Sequence, residues 1–358
     1  MKINWATIAD PSNMHGYSVI ASRFREAMGK CGAEIVSPRS WEWDLAVTFA
    51  LPLSWMLATG KDTRADKVIR RISRDWYDSR KIRRDMVYHT MYECTPLPQN
   101  WVDVLNRAGL VWVPSRFCKT LFEDAGVKRP IMVAGYGVNQ TDFSYVERNN
   151  HNGPFKFIVW NRGVVTRKNL IGSVKAFIKA GLPEKDCVLE IKVNAGFGTP
   201  DFLWKGEDGI TRSVPNVRFA DSADWTTSQL YEWFASADAM IYASRGEGFG
   251  LMPLEAGSTG LPVICSYNTG MMDYLSTENS YPIISHTFEK SVDYSARFGG
   301  TAYWLEPSIE EMTEKIKYVY YHRDEALEKG KVFAEMAKQM TWEKAAEKAL
   351  LQMKHYVS

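Results

Sequence analysis

Two hydrophobic periods take turns along most of the chain. From Ser18 to Gly29 the apolar residues Val19, Ile20, Phe24, Ala27 and Met28 recur at helical spacing and share a face. Gly32 follows as a stop, then the short strand-like run Ala33–Val36, and Asp44–Phe49 reads as a further strand. Leu110–Val113 is an apolar run ending in Pro114-Ser115, where Ser115 suits the N-cap of a helix over Arg116–Asp124; Ile131–Ala134 is one more strand. The polar, turn-rich stretch 149–154 is the clearest linker. A second series begins beyond it: strands over Phe155–Trp160, Val188–Val193, Ala239–Ala243 and Pro262–Cys265, and helices over Asn169–Ala180, Thr226–Ser236 and Pro253–Ser258. From Ser308 onward the pattern is consecutive helices. Two β/α series joined by a linker predict an α/β protein of two doubly wound domains facing each other across a cleft, with ligands beyond the carboxyl ends of the strands. The loops that matter are then those after Ile8, Trp160, Tyr242 and Cys265.

Composition narrows the class without changing this picture. The chain has 358 residues, enough for two domains at about 150 residues each. It is 45% hydrophobic and 24% charged with a formal charge of +2, which excludes disordered, collagenous and coiled-coil classes. Five cysteines are widely spaced without a C-x-x-C pair, which argues against a disulfide framework or a structural zinc. No apolar run reaches the roughly 20 residues of a membrane span, and the start, Met1–Trp5, lacks a signal peptide's apolar stretch, so a soluble, cytoplasmic protein is expected. Aromatic residues are abundant at 13%, with 13 Trp.

The candidate chemistry concentrates in the second half. Arg245-Gly246-Glu247-Gly248-Phe249-Gly250-Leu251-Met252-Pro253-Leu254-Glu255-Ala256-Gly257 follows a strand and opens a helix. Its glycines allow close backbone approach, its helix start offers free N–H groups to an anion, and Pro253 suits a first turn. Glu247 and Glu255 can point into one pocket as acceptors for hydroxyls; the plainer reading is a tight turn with Glu255 complementing the helix dipole. Trp160–Asn169 places two cationic points, Arg162 and Lys168, around a strand-to-helix turn, as a diphosphate leaving group requires; a solvated basic turn is the alternative. Asn268–Asp273 follows the next strand. No pair of carboxylates here demands a glycosidase mechanism, which needs an acid and a nucleophile or base flanking the bond.

Glu-x7-Glu within E-G-F-G-L-x-x-L-E-A, followed by Gly260-Leu261-Pro262-Val263-Ile264, resembles the signature of retaining GT-B glycosyltransferases of family four. The resemblance implies two Rossmann-like domains, acceptor-binding over 1–148 and donor-binding over 149–340, with a helix over 341–358 crossing back onto the first domain. In that helix Leu350, Leu351 and Met353 would be the buried side. It implies that Glu247 meets the donor sugar's hydroxyls, that Glu255 holds the nucleotide ribose, and that the amides of Phe249, Gly250 and Leu251, beside Gly248, face sugar and phosphates. Arg162 and Lys168 would clamp the diphosphate, with Asn169 where members often carry Gly. Thr269 and Gly270 stand where the family shows Gly-Gly-x-x-Glu, with Asp273 in the acidic place. Gly16 is the one glycine left of the family's first-domain loop, here 13–18. Met91–Trp101, Trp112–Phe117 and Gly135–Asn139 follow the family's order, and His89 and Glu93 fall on the expected cleft side, where His89 would act in catalysis and Glu93 on the acceptor. The implied reaction is transfer from a nucleoside-diphosphate sugar with retention, the departing phosphate assisting deprotonation of the acceptor. A UDP-sugar is favoured over a GDP-sugar, with no permanently bound cofactor and, lacking an Asp-x-Asp motif, no metal.

The acceptor stays open at this level: glycan, lipid or DNA. Lys61–Tyr88 holds ten Lys/Arg against five Asp, a net +5 that leaves −3 for the rest of the chain. Within it Arg70, Arg71 and Arg74 are interleaved with Trp76 and Tyr77, a composition that could pair with phosphates and stack on bases, or simply be a solvated helix face. A phage-type DNA glycosyltransferase acting on hydroxymethylated pyrimidines is therefore one alternative. A nucleotide-sugar epimerase and a non-catalytic nucleic-acid- or glycan-binding protein of the same fold are two more. Oligomeric state is not readable.

Overall fold

Two six-stranded sheets, every neighbouring pair of strands parallel, organise the chain. The computed structural model describes residues 1–7, 16–36, 43–49, 83–148, 153–161, 166–193, 203–205, 211–220, 225–298 and 300–358. The described residues group into two compact units, one of 1–137, 290–303 and 340–358, the other of 138–289 and 304–339. No helix among them is long and apolar enough to cross a membrane.

In the first unit β1 (Lys2–Thr7), α1 (Gly16–Lys30), β2 (Glu34–Val36), β3 (Leu45–Phe49), β4 (Arg83–His89), α2 (Gln99–Leu105), β5 (Ala108–Val113), α3 (Arg116–Asp124) and β6 (Ile131–Val133) alternate, with sheet order β2-β1-β3-β4-β5-β6. β3 and β5 are buried at every residue, as central strands covered on both faces must be. Ser115 caps α3 as expected, its hydroxyl accepting from the Cys118 amide at 3.2 Å.

In the second unit β7 (Phe155–Asn161), α4 (Leu170–Ala180), β8 (Cys187–Val193), the small hairpin β9 (Leu203–Lys205) and β10 (Thr211–Ser213), β11 (Val217–Phe219), α5 (Thr227–Ala235), β12 (Ala239–Tyr242), α6 (Leu251–Ser258), β13 (Val263–Ser266) and β14 (Tyr281–Ile283) follow. The sheet order β11-β8-β7-β12-β13-β14 is the doubly wound order, with its direction of winding reversing between β7 and β12. The loops leaving these two strands therefore meet above the sheet, which is where an open α/β sheet offers its crevice. Phe157, Ile191, Ile241 and Ile264 from the strands pack with Phe177 of α4 and Ile316. Thr226 closes a reciprocal capping box with Gln229 at the start of α5.

The chain continues through β15 (His286–Ser291), α7 (Val292–Phe298), β16 (Ala302–Pro307), α8 (Ile309–Tyr321), α9 (Arg323–Ala337) and α10 (Trp342–Val357). α10 packs on the first unit: Trp342 lies edge-on to Phe24 at 5.2 Å, and Gln352 donates to the Val133 carbonyl at 3.2 Å. Its buried side is Trp342, Ala346, Ala349, Leu350 and Met353. Leu351, expected there, is 69% exposed, because one residue past Leu350 turns about 100° away from the buried stripe.

The division between units falls at 137/138, earlier than the polar linker suggested. Arg148 is the physical reason. It is 5% exposed and, among the described residues, meets no carboxylate within hydrogen-bonding distance; its guanidinium donates to the carbonyls of Phe234 (3.0 Å), Ala237 (3.3 Å), Val146 (3.2 Å) and Thr259, and to Thr259 Oγ1 (3.0 Å). Phe234 lies in the last turn of α5 and Thr259 caps α6, so one cation donates to the carbonyls at two helix ends, beside the Ala237 and Val146 amides, and ties the 138–148 segment to the second unit. Residues 290–303 join the first unit through paired backbone bonds, Thr95 N to Tyr303 O at 2.8 Å and Tyr303 N to Thr95 O at 2.7 Å.

Candidate functional site

The loop after β12 carries Glu247 to the switch point of the second sheet. Glu247 is 6% exposed, and all its side-chain bonds fall on Oε1: Ser244 Oγ at 2.6 Å, Tyr242 OH at 2.9 Å, Lys168 Nζ at 2.6 Å and Arg167 Nη1 at 2.9 Å. Burial alone would raise this carboxyl, but Arg167 and Lys168 outweigh it and hold it down at about 2. Glu247 is thus ionised at every physiological pH. Lys168 is lodged between two rings, 5.4 Å from the Trp160 centroid and 5.0 Å from that of Tyr242, a geometry that favours a cation. Burial pushes the Tyr242 phenol well up, so it stays a proton donor to Glu247.

The cations arrive on a three-residue 3-10 turn, Thr166–Lys168, which runs into α4. Asn169 sits at the junction with φ +55° and ψ +45°, and its side chain accepts from the Gly172 amide at 3.2 Å. The departure from glycine thereby has its explanation: Asn is among the few residues with a side chain that tolerate the left-handed region, and here it also supplies the cap.

Behind Glu247 the loop after β13 closes in. The Glu247 amide donates to Thr269 Oγ1 at 2.8 Å and the Gly270 amide to the Glu247 carbonyl at 2.9 Å. A Cβ on Gly270 would stand 2.2 Å from the Gly248 carbonyl oxygen, so only glycine lets the two loops touch. Gly250, at φ +91°, begins α6, and Tyr274 OH donates to its carbonyl at 2.6 Å. A Cβ there would meet Met271 Cγ at 2.6 Å. Phe249 is buried beside Tyr274, with centroids 5.5 Å apart. The first amides of α6, from Leu251 on, have no side-chain cap, which leaves them for an anionic or hydroxyl ligand. Glu255 is half-buried on the second turn of α6, because the helix starts at Leu251 and not at Pro253.

The expected residues thus divide. Lys168, Glu247, Gly248, Phe249, Gly250, Leu251, Thr269 and Gly270 come together, with Glu255 on the adjoining helix. Arg162 lies outside the described residues, as do Arg70, Arg71, Arg74, Trp76 and Tyr77. Gly16 opens α1 in the first unit. Glu93, also there, accepts from Tyr294 OH at 2.9 Å. His89, expected at the mouth of a site, is instead fully buried: it stacks on Phe49 at 4.2 Å, meets Trp112 edge-on at 4.6 Å, and its Nε2 lies 3.4 Å from Tyr136 OH. The sheet register explains this, since His89 stands opposite Phe49 and Trp112 on neighbouring central strands. Arg167, Ser244 and Tyr242 are the partners that sequence reasoning missed. Arg167 adjoins Lys168 in the same motif, and Ser244 precedes Glu247 by three residues; neither spacing shows which side chain turns inward.

Burial depresses the His89 imidazole to about 3. The unfolded chain binds a proton at this residue below its ordinary 6.5, whereas the folded chain does not until about pH 3. Stability contributed here is intact above pH 6.5 and falls as pH drops through that window. His89→Phe, which keeps the stacking on Phe49, should flatten the dependence of Tm on pH between 6.5 and 3; an unchanged slope in thermal melts would mean the imidazole is not buried neutral.

A model of the family described as "Family 4 Glycosyltransferase in conflict systems" matches residues 220–349. No curated protein matches the chain. Solved structures match over nearly its full length. The sucrose-phosphate synthase of Thermosynechococcus elongatus superposes with a TM-score of 0.65 at 13% identity, covering 99% of this chain and 97% of that one. Anabaena HepE, solved in complex with UDP and glucose, gives 0.64 at 13% identity, covering 99% and 100%. The pneumococcal O-GlcNAc transferase GtfA, in complex with UDP and GlcNAc, gives 0.55 at 16% identity over 87% and 57%. The fold is that of the GT-B glycosyltransferases.

Proposed function

We infer that this chain, a glycosyltransferase of the GT-B type with the family-four signature, transfers a sugar from a nucleoside-diphosphate donor to a hydroxyl acceptor with retention at the anomeric carbon. The observation that carries the reading is the Glu247 carboxylate held ionised beside Lys168 and Arg167 at the switch point of the second sheet. A donor needs two things from such a site: positive charge for its diphosphate and an acceptor for its sugar hydroxyls. Lys168 and Arg167 supply the first, joined by the uncapped amides of α6, and their charge stabilises the diphosphate as it leaves. Glu247 supplies the second. Because its hydrogen bonds all use Oε1, Oε2 is the oxygen a sugar hydroxyl would reach. Glu255 on α6 takes the ribose hydroxyls, and Arg162 adds a third cation.

In this reaction the bond between the anomeric carbon and the leaving phosphate oxygen breaks as a bond to the acceptor oxygen forms on the same face. The acceptor's proton passes to the departing phosphate. No protein base is then needed, and with protein cations balancing the diphosphate a metal is not required either. UDP-sugar is the favoured donor, a choice supported by the UDP found with HepE and with GtfA. His89 is given no chemical step, since its surroundings are those of a core residue. DNA is kept as an acceptor class on one observation, the +5 segment Lys61–Tyr88 with Trp76 and Tyr77 among its arginines.

The test is mass spectrometry of products from UDP- and GDP-sugars crossed with glycans, lipid acceptors and duplex DNA containing hydroxymethylcytosine or hydroxymethyluracil. A sugar mass added to any of them, and lost in Glu247→Gln, is the expected result. Addition to DNA would make the basic segment an acceptor surface; addition only to glycan or lipid would remove DNA from the reading. Donor hydrolysed or epimerised without transfer would replace transferase activity altogether.

A further inference from the structure

We propose that Arg245 and Glu306 are positioning residues of the donor site, and that affinity for the donor diphosphate depends on the lock they form between the cationic turn 166–168 and the Glu247 loop. The inference rests on the donor-site reading above and adds two residues that the family signature does not single out.

The turn carrying Arg167 and Lys168 is only three residues long, and it already meets the Glu247 loop through the Ser244 hydroxyl on the Arg167 carbonyl, Arg167 on the Gly246 carbonyl, and both cations on Glu247. Arg245 adds the ties that reach the start of the turn and join it to a third element. Its amide donates to the Arg167 carbonyl at 2.8 Å, and its Nη1 donates to the Thr166 carbonyl. The same guanidinium forks onto both oxygens of Glu306, Nε to Oε2 and Nη2 to Oε1 at 3.0 Å, and lies 5.3 Å over the Trp304 ring. Glu306 reaches the far end of the turn as well, its Oε1 accepting from Asn169 Nδ2 at 3.1 Å. Main-chain bonding completes the arrangement, Leu305 N donating to Arg245 O at 3.1 Å. β16 therefore holds both loops at once, through one arginine and one glutamate.

Charge gives the pair a second task. Arg245 is two residues from Glu247, where a third cation would compete for the carboxylate that balances Arg167 and Lys168. Glu306 neutralises Arg245 locally, and the Glu247 charge is left to the two cations that face the donor. A lysine cannot substitute: it lacks the planar fork that engages two carboxylate oxygens and a carbonyl together. Neither Arg245 nor Glu306 is assigned a contact with the donor; they act through the turn.

The experiment measures binding of pyrophosphate, UDP and GDP by calorimetry to the full chain and to Arg245→Met, Arg245→Lys, Glu306→Gln and the Met/Gln double variant, with a ligand-free melt of each. The expected result is roughly tenfold weaker binding in each single variant, no rescue by Arg245→Lys, and a double variant no weaker than either single, since both remove one lock. In turnover assays the donor KM should rise more than kcat falls. Wild-type chain that binds none of the three probes would sink the donor-site reading itself. Binding by wild type with equal binding by the folded variants would overturn the lock while leaving that reading in place. Variants with lowered Tm and unchanged affinity would make the pair merely stabilising, which also overturns it. Glu306→Gln, nearly isosteric, keeps the test available should Arg245→Met fail to fold.

Discussion

Glu247→Gln should lose sugar transfer by on the order of 10²–10³-fold while keeping, or strengthening, its grip on UDP. The substitution preserves shape and removes one negative charge. That charge does two jobs in the folded chain: it takes the sugar hydroxyl through Oε2 and it balances Arg167 and Lys168 through Oε1. Removing it costs the first job outright, so turnover falls. It also takes from two part-buried cations the charge that Glu247 sets against them, a change that destabilises a folded protein. A diphosphate restores the balance. The variant should therefore melt below wild type without ligand and gain more in Tm than wild type does on adding UDP. Parallel kinetics and melts check both halves. Full turnover in the variant would remove Glu247 from the sugar site, and loss of UDP affinity would mean that the carboxylate organises the cations rather than competing with the donor for them. Since Glu247 is held at about 2, no acid limb of the rate profile near neutrality should come from it.

The largest effect on stability is expected away from the site, at Arg148→Met. The apolar replacement keeps much of the stem's packing but takes the guanidinium donor from the Ala237 carbonyl and the second donor from those of Phe234 and Thr259, which still accept from the Ala237 and Val146 amides. An unsatisfied buried group costs about 1–3 kcal/mol, so a loss of about 2 kcal/mol is expected, or ~4–8 °C in the melting of a unit of this size. Arg148→Lys should rescue little, because one ammonium cannot reach two helix ends. Burial lowers this guanidinium to about 10, against a smaller opposing pull from Asp238, and it is still charged at neutral pH. A melt within a degree or two of wild type would show that water or a neighbouring side chain takes over these carbonyls.

How legible all this was in the sequence differs from element to element. β7, α4, β8, α5 and β12 stand within a residue or two of where the hydrophobic period puts them, because a strand covered on both faces must be a continuous apolar run and a helix on its flank must carry a stripe. α6 begins two residues before Pro253, at Leu251, since the glycine ahead of it can take the left-handed turn that starts the helix. α2 was not read: Gln99–Leu105 is seven residues, too short to show a period. Glu247 and Lys168 were legible as members of one donor site, though not as each other's partner, because two separate local motifs carry them. Their counterpart Arg167 was not, since adjacent residues on a turn point in unlike directions and the sequence does not say which one faces the carboxylate.

By itself, then, the order of residues determined what is local and periodic: the alternation of strands and helices, the two parallel sheets, the glycines at Gly250 and Gly270 where no Cβ fits, and the ionic character of the loops after β7 and β12. Tertiary structure decided what depends on residues far apart in the chain. It put His89 under Phe49 and Trp112 rather than at a site, gave residues 290–303 to the first unit, spent Arg148 on two helix ends, and joined Arg245 to Glu306 across 61 positions. The physical reason is the range of the forces involved. Hydrophobic period and backbone conformation act over a few residues, so they are written in neighbouring letters. A buried charge must find its partner wherever the fold brings one, and a linear pattern carries no record of that choice.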